Sequence, residues 1–175
     1  MLTERQCQGI QMFVAHQVSR SDLEALLGFD PHMAPERVLG LLDDATGSRD
    51  ATQVSCAMVL AHLTGLTAAF VPTLIRLLAT AWHYEHEDVA HALQVLKDSR
   101  AVDALYAACQ ARHDYLAYDD SHALARKCTW ALADIGTSDA LAKLQIIATS
   151  SDSLVAGYAR KRIDSWEAER HRKGH

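Results

Sequence analysis

Apolar residues recur along this chain at a spacing of thirty-odd positions, and that spacing restricts the fold more than any local motif does. Leu60, Leu93, Leu132 and Ile163 form one series, with steps of 33, 39 and 31 residues. Cys56, Val89, Cys128 and Ala159 precede them by four positions, and Leu63, Leu96, Ile135 and Trp166 follow by three. Val38, Val71, Val102 and Leu141 form a second series, echoed three positions on by Leu41, Leu74, Leu105 and Leu144. Offsets of three, four and seven place each set on one face of a helix. Two such faces per unit predict an all-α fold, an α-solenoid of stacked antiparallel helix pairs with about ten helices.

Composition agrees with close helix packing. Hydrophobic residues make up 49% of the 175 positions, aromatics only 6%, and there are 8 glycines and 3 prolines. Small aliphatic side chains must therefore fill the core, which suits stacked helices better than a sandwich or barrel. No apolar run reaches the length of a membrane span, and the first ten residues lack the basic-then-apolar order of a signal peptide. A cytoplasmic location with no membrane partner is expected. Cys7, Cys56, Cys109 and Cys128 are scattered singly without a CxxC spacing, so free thiols are expected rather than a disulfide framework or a zinc site. The net charge of −5 disfavours a general nucleic-acid binder. Basic residues nevertheless outnumber acidic ones after position 120, chiefly in Arg160-Lys161-Arg162 and Arg170-His171-Arg172-Lys173.

The chain reads as one domain over 1–175. Residues 1–20 form an N-terminal capping helix, with Ile10, Phe13, Val14 and Val18 on its apolar side. Residues 21–151 carry the repeats, with breaks expected at Pro35, Thr46-Gly47-Ser48, Gly65, Asp98-Ser99-Arg100 and Gly136-Thr137-Ser138. Residues 152–175 form a C-terminal capping helix with a basic tail, started by Asp152 or Ser153.

The stretch from Leu124 to Leu144 resembles a HEAT repeat of the short bacterial form, also found in phycobilin-lyase-like proteins. Ala131-Leu132, Ile135-Gly136, Ala140-Leu141 and Leu144 match that pattern. Ala92-Leu93, Leu96, Ala101-Val102 and Leu105 match it one unit earlier. The resemblance spans about residues 21–166 and implies a fold. HEAT-like units serve scaffolds, inhibitors, chaperones and a few enzymes, so it does not imply one activity. Every matched residue has a packing role, and function is expected where the chain departs from the pattern.

The largest departure is the 39-residue step, which inserts residues around 112–120. Tyr115, Tyr118, Asp119 and Asp120 stand there, able to bury rings while presenting acceptors; tyrosines folding back on the neighbouring pair is the competing expectation. The preceding junction carries Trp82, Tyr84, Glu85 and Glu87. Trp130 occupies an outward slot that His91 and Met58 hold in earlier units. These nine residues are the candidate partner-binding set, an aromatic and acidic strip suited to a protein with a basic surface. His83, Glu85, His86, Glu87 and His91 lack ligand spacing, so no metal or other cofactor is expected. The single His86-Glu87 pair also falls short of the several that a HEAT-repeat di-iron hydroxylase uses. No catalytic residue is assigned, and the expected function is a non-catalytic interaction module, such as an adaptor or an immunity protein masking a toxin. The alternatives are a HEAT-like DNA glycosylase, which would need Arg126, Trp130 and Asp134 in one cleft, and a phycobilin-lyase-like tetrapyrrole chaperone.

Overall fold

The computed structural model describes residues 1–117 and 120–168. They form helices, turns and irregular segments, with no strand among them. The helices are α1 (Glu4–Val14), α2 (Arg20–Leu27), α3 (Pro35–Ser48), α4 (Ala51–Thr64), α5 (Val71–Leu78), α6 (His86–Leu96), α7 (Val102–Gln110), α8 (Ala123–Ile135), α9 (Ser138–Ile147) and α10 (Ser153–Asp164). A further turn of helix lies at 166–168. The protein is all-α, as the periodicity requires. None of the described helices is long and apolar enough to cross a membrane.

Local chemistry sets most helix ends. Thr3 and Gln6 form a capping box on α1, and Ser19 and Asp22 form one on α2. Asp50, Thr137 and Asp152 cap α4, α9 and α10 through their side chains. Gly136 closes α8 in the left-handed region at φ 73, where a residue without Cβ carries no steric cost, and Thr137 starts α9 at once.

Two ends differ from expectation. Helix α1 stops at Val14, because the chain turns at His16 with φ 57, so Val18 lies beyond it. Its inner face is Cys7, Gly9 and Ile10, while Val14 is exposed. Gly9 is there for contact: a Leu26 methyl occupies the space that a Cβ would need. The Thr46-Gly47-Ser48 stretch continues α3 rather than ending it, and Arg49 makes the left-handed stop instead.

The chain divides into two compact units, residues 1–73 with 82–85, and residues 74–81 with 86 onward. In the first, α3 packs on α4 and α1 packs on both α2 and α4. Helix α4 is buried on nearly every side, through Val54, Cys56, Ala57, Met58, Leu60 and Ala61. Met58 is therefore a core residue and not the outward one that the repeat alignment expects. In the second unit, α8 packs against α6, α7, α9 and α10. Val89, Leu93, Leu105, Cys109, Cys128, Leu132, Leu144 and Ala159 are all fully buried there. Leu96, Leu141 and Ile163 of the same sets are half-buried.

Truncating this layer leaves a cavity that neighbouring helices cannot collapse into. Leu93→Ala and Leu132→Ala are each expected to cost about 2–5 kcal/mol, read as lower chemical-denaturation midpoints. A midpoint unchanged in both would remove the register that these helices share.

Candidate binding surface

In the second unit, the inserted segment folds onto the helices around it. Asp114–Leu116 makes one 3-10 turn. Tyr115 is half-buried, and its hydroxyl oxygen accepts the His86 backbone N–H at 3.2 Å. The same hydroxyl lies 2.8 Å from His86 Nδ1. His86 Nε2 lies 2.5 Å from the Thr80 carbonyl, which can only accept, so Nε2 carries the ring proton. Nδ1 shares a hydrogen with the Tyr115 hydroxyl, so both ring nitrogens of His86 are partnered. Its ring is fully buried, and His113 packs over it with centroids 3.7 Å apart. Burial holds the His113 imidazole below the ordinary histidine range, against a smaller opposing pull from Asp114. His113 Nε2 is enclosed without a hydrogen-bond partner among the described residues, so protonating it would leave a buried charge unanswered.

The other end of the segment is tied to α10. Asp152 Oδ1 accepts the Leu154 and Val155 N–H groups at 3.1 Å each. Its Oδ2 meets Arg112 at 3.2 Å and His122 at 3.0 Å. The Val155 N–H, then His122, holds the Asp152 carboxyl below its usual range. Tyr158 donates its hydroxyl hydrogen to the Ser121 carbonyl at 2.6 Å. Tyr115 is thus an internal anchor, and Asp114 and Asp120 are exposed. Tyr118 and Asp119 lie outside the described residues.

Helices α6 and α8 present two adjacent stripes. Glu87, His91 and Gln94 follow one face of α6, and Lys127, Trp130 and Asp134 follow one face of α8. Lys127 reaches Glu87 at 3.4 Å, and Gln94 donates to Asp134 at 2.6 Å. Lys143 of α9 similarly reaches Asp103 of α7 at 2.8 Å. These three pairs and the Arg112–Asp152 pair each join residue i to residue i+40, the 39-residue repeat step plus one. Trp130 is 38% exposed, and the Arg162 guanidinium lies 3.6 Å from its ring centroid. Arg162 itself is buried, so within Arg160-Lys161-Arg162 only Arg160 and Lys161 are exposed.

The first unit holds the remaining candidates. Tyr84 is 67% exposed, whereas Trp82 and Glu85 are half-buried. The Glu85 N–H donates to His83 Nδ1 at 3.0 Å, and the Trp82 ring meets the His83 ring edge-on at 5.2 Å. His83 is fully buried and orients this junction. No group of three metal-binding side chains occurs among the described residues.

Apolar periodicity does not reveal the partners of Asp152, an expected helix start, or of Arg162, an expected surface cation, because neither interrupts the pattern. The signal that finds them is pairing at the repeat step plus one: Arg112 with Asp152 across the 39-residue step, and Trp130 with Arg162 across the 31-residue step.

Two outcomes follow for the anchored segment. Tyr115→Phe removes one hydroxyl and strands two buried partners on His86, at a cost of about 1–3 kcal/mol in a denaturation experiment. Because the folded-state pKa of His113 lies below the unfolded value of about 6.5, its contribution is complete above that pH. It is lost as pH falls through 6.5 toward the lower folded value. His113→Phe should flatten this part of the stability–pH curve; an unchanged slope would show that another group controls it. Compared with protein-family models, curated proteins and solved structures, the chain matches none, and its surface is read from its own chemistry.

Proposed function

We propose that this chain is a non-catalytic protein-binding module of stacked HEAT-like helix pairs, whose partner docks on the α6–α8 face around Trp130. The carrying observation is the state of Trp130, a large ring held against a buried guanidinium while still open to solvent. A ring fixed in this way loses little side-chain entropy on binding, which is what makes an aromatic residue an effective anchor. Glu87, Lys127, Gln94 and Asp134 surround it as a polar rim already ordered by its own pairs. Such a rim excludes water without needing to reorganise. Tyr84, exposed in the first unit, is a second contact candidate.

An adaptor or an immunity protein acting in the cytoplasm is the specific form this reading takes. The partner is expected to be a protein with a basic patch, because the exposed carboxylates of the inserted segment, Asp114 and Asp120, would meet it favourably. The DNA-glycosylase alternative is weaker, because Asp134 already accepts the Gln94 amide and the Trp130 ring already holds Arg162.

The test is affinity capture with the full chain from native lysate, followed by titration of the recovered partner. Trp130→Ala should weaken binding by about tenfold or more, as truncated anchors do, in a chain that still folds as judged by its helical circular dichroism. Full affinity in that variant, or recovery of nucleic acid in place of protein, would overturn the assignment.

A further inference from the structure

Cys7 of α1 and Cys56 of α4 are distant in sequence but share one interface in the first unit. Both are free and buried, at 5% and 2% exposure. The Cys56 thiol lies 3.9 Å from the Cys7 carbonyl and points at the Cys7 residue. Burial, and after it the adjacent Cys7 thiol, pushes the Cys56 thiol up to about 12. The surrounding contacts hold the two helices in fixed register. Leu2 donates its N–H to Gln53 Oε1 at 3.0 Å and accepts from Gln53 Nε2 at 2.9 Å, one turn before Cys56. A crevice of about 190 Å³ opens beside this contact, lined by Ile10, Gln11, Val14, Ser55, Cys56 and Val59. Cys56 is thus enclosed by protein yet reachable by a molecule of peroxide size. Cys109 and Cys128 differ: they are fully buried, and neither lines this crevice.

We propose that Cys7 and Cys56 form a latent dithiol, oxidised by a peroxide that enters through this crevice and closing a disulfide between α1 and α4. In the first step a Cys56 sulfur–oxygen bond forms as the peroxide O–O bond breaks. The released hydroxide leaves as water with the thiol proton, giving a sulfenic acid. Cys7 sulfur then attacks Cys56 sulfur, the sulfur–oxygen bond breaks, and the hydroxyl leaves as a second water with the Cys7 proton. Two thiols are oxidised and one peroxide is reduced to two waters. Because the attacking species is the thiolate, reaction is slow near neutral pH and accelerates as pH rises. The pair therefore responds to sustained oxidation rather than to a brief pulse.

The test exposes the full-length protein to hydrogen peroxide at mildly alkaline pH, then denatures it and alkylates the remaining thiols. The reduced chain should take up four labels, one for each cysteine, and the oxidised chain two. Peptide mapping should recover one intramolecular crosslink joining the Cys7 and Cys56 peptides, reversed by dithiothreitol. Cys109→Ser should leave that crosslink intact, while Cys7→Ser should abolish it and leave Cys56 as the oxidised residue. The map of the unsubstituted protein decides the matter even where a variant fails to fold. Four labels after prolonged exposure, a crosslink between other cysteines or between chains, or overoxidised Cys56 with Cys7 still free would overturn the proposal.

Discussion

Helix α8 is enclosed by α6, α7, α9 and α10 at once, and the second unit depends on that enclosure. A helix can be approached from several directions only if its side chains are short where neighbours come closest and long where they leave gaps. Ala125, Cys128, Ala131 and Ala133 supply the close approaches, while Leu124, Leu132 and Ile135 fill the spaces between. Once α8 is fixed, Leu93 and Val89 of α6 meet one side of it and Leu105 and Cys109 of α7 another. The Cys109 thiol even lies 3.8 Å from the Ala125 carbonyl. Packing at this density transmits position: a displaced α8 would disturb each neighbour in turn.

Polar contacts record the same register at the surface. Glu87–Lys127, Gln94–Asp134, Asp103–Lys143 and Arg112–Asp152 all connect residues 40 apart, so one translation along the chain relates four side-chain pairs on different elements. Each exposed pair contributes little by itself. Their common offset matters more, since a one-residue slip would break them together while also misplacing the apolar layer. Trp130 and Arg162 extend the pattern across the shorter step, and they convert register into a binding feature by holding an indole open to solvent.

The core was legible because burial repeats and sequence shows repetition. Leu60, Leu93 and Leu132 follow from spacing alone, as do the turns at Gly65 and Gly136. Met58 was not legible by analogy with His91 and Trp130, because α4 is apolar around its whole circumference and offers no outward side to assign. The site was only partly legible. The 39-residue step marks where an insertion must lie, yet it cannot say whether Tyr115 faces solvent or His86. That choice rests on a hydroxyl meeting two groups of one buried histidine, a match of geometry without periodicity. The exposure of Trp130 followed from its offset from Leu132, whereas its cover by Arg162 required the neighbouring helix to be placed.

Amide hydrogen exchange under native conditions tests the central role of α8 most directly. If its enclosure holds the second unit together, the amides of Cys128–Leu132 should be the slowest to exchange among residues 86–168. Their opening free energy should match that of global unfolding of this unit. Helices α9 and α10 should open at lower free energy, since each loses fewer buried neighbours. Faster exchange in α8 than in α10 would contradict the account, because the helix on which the others are registered would then be free to open before them.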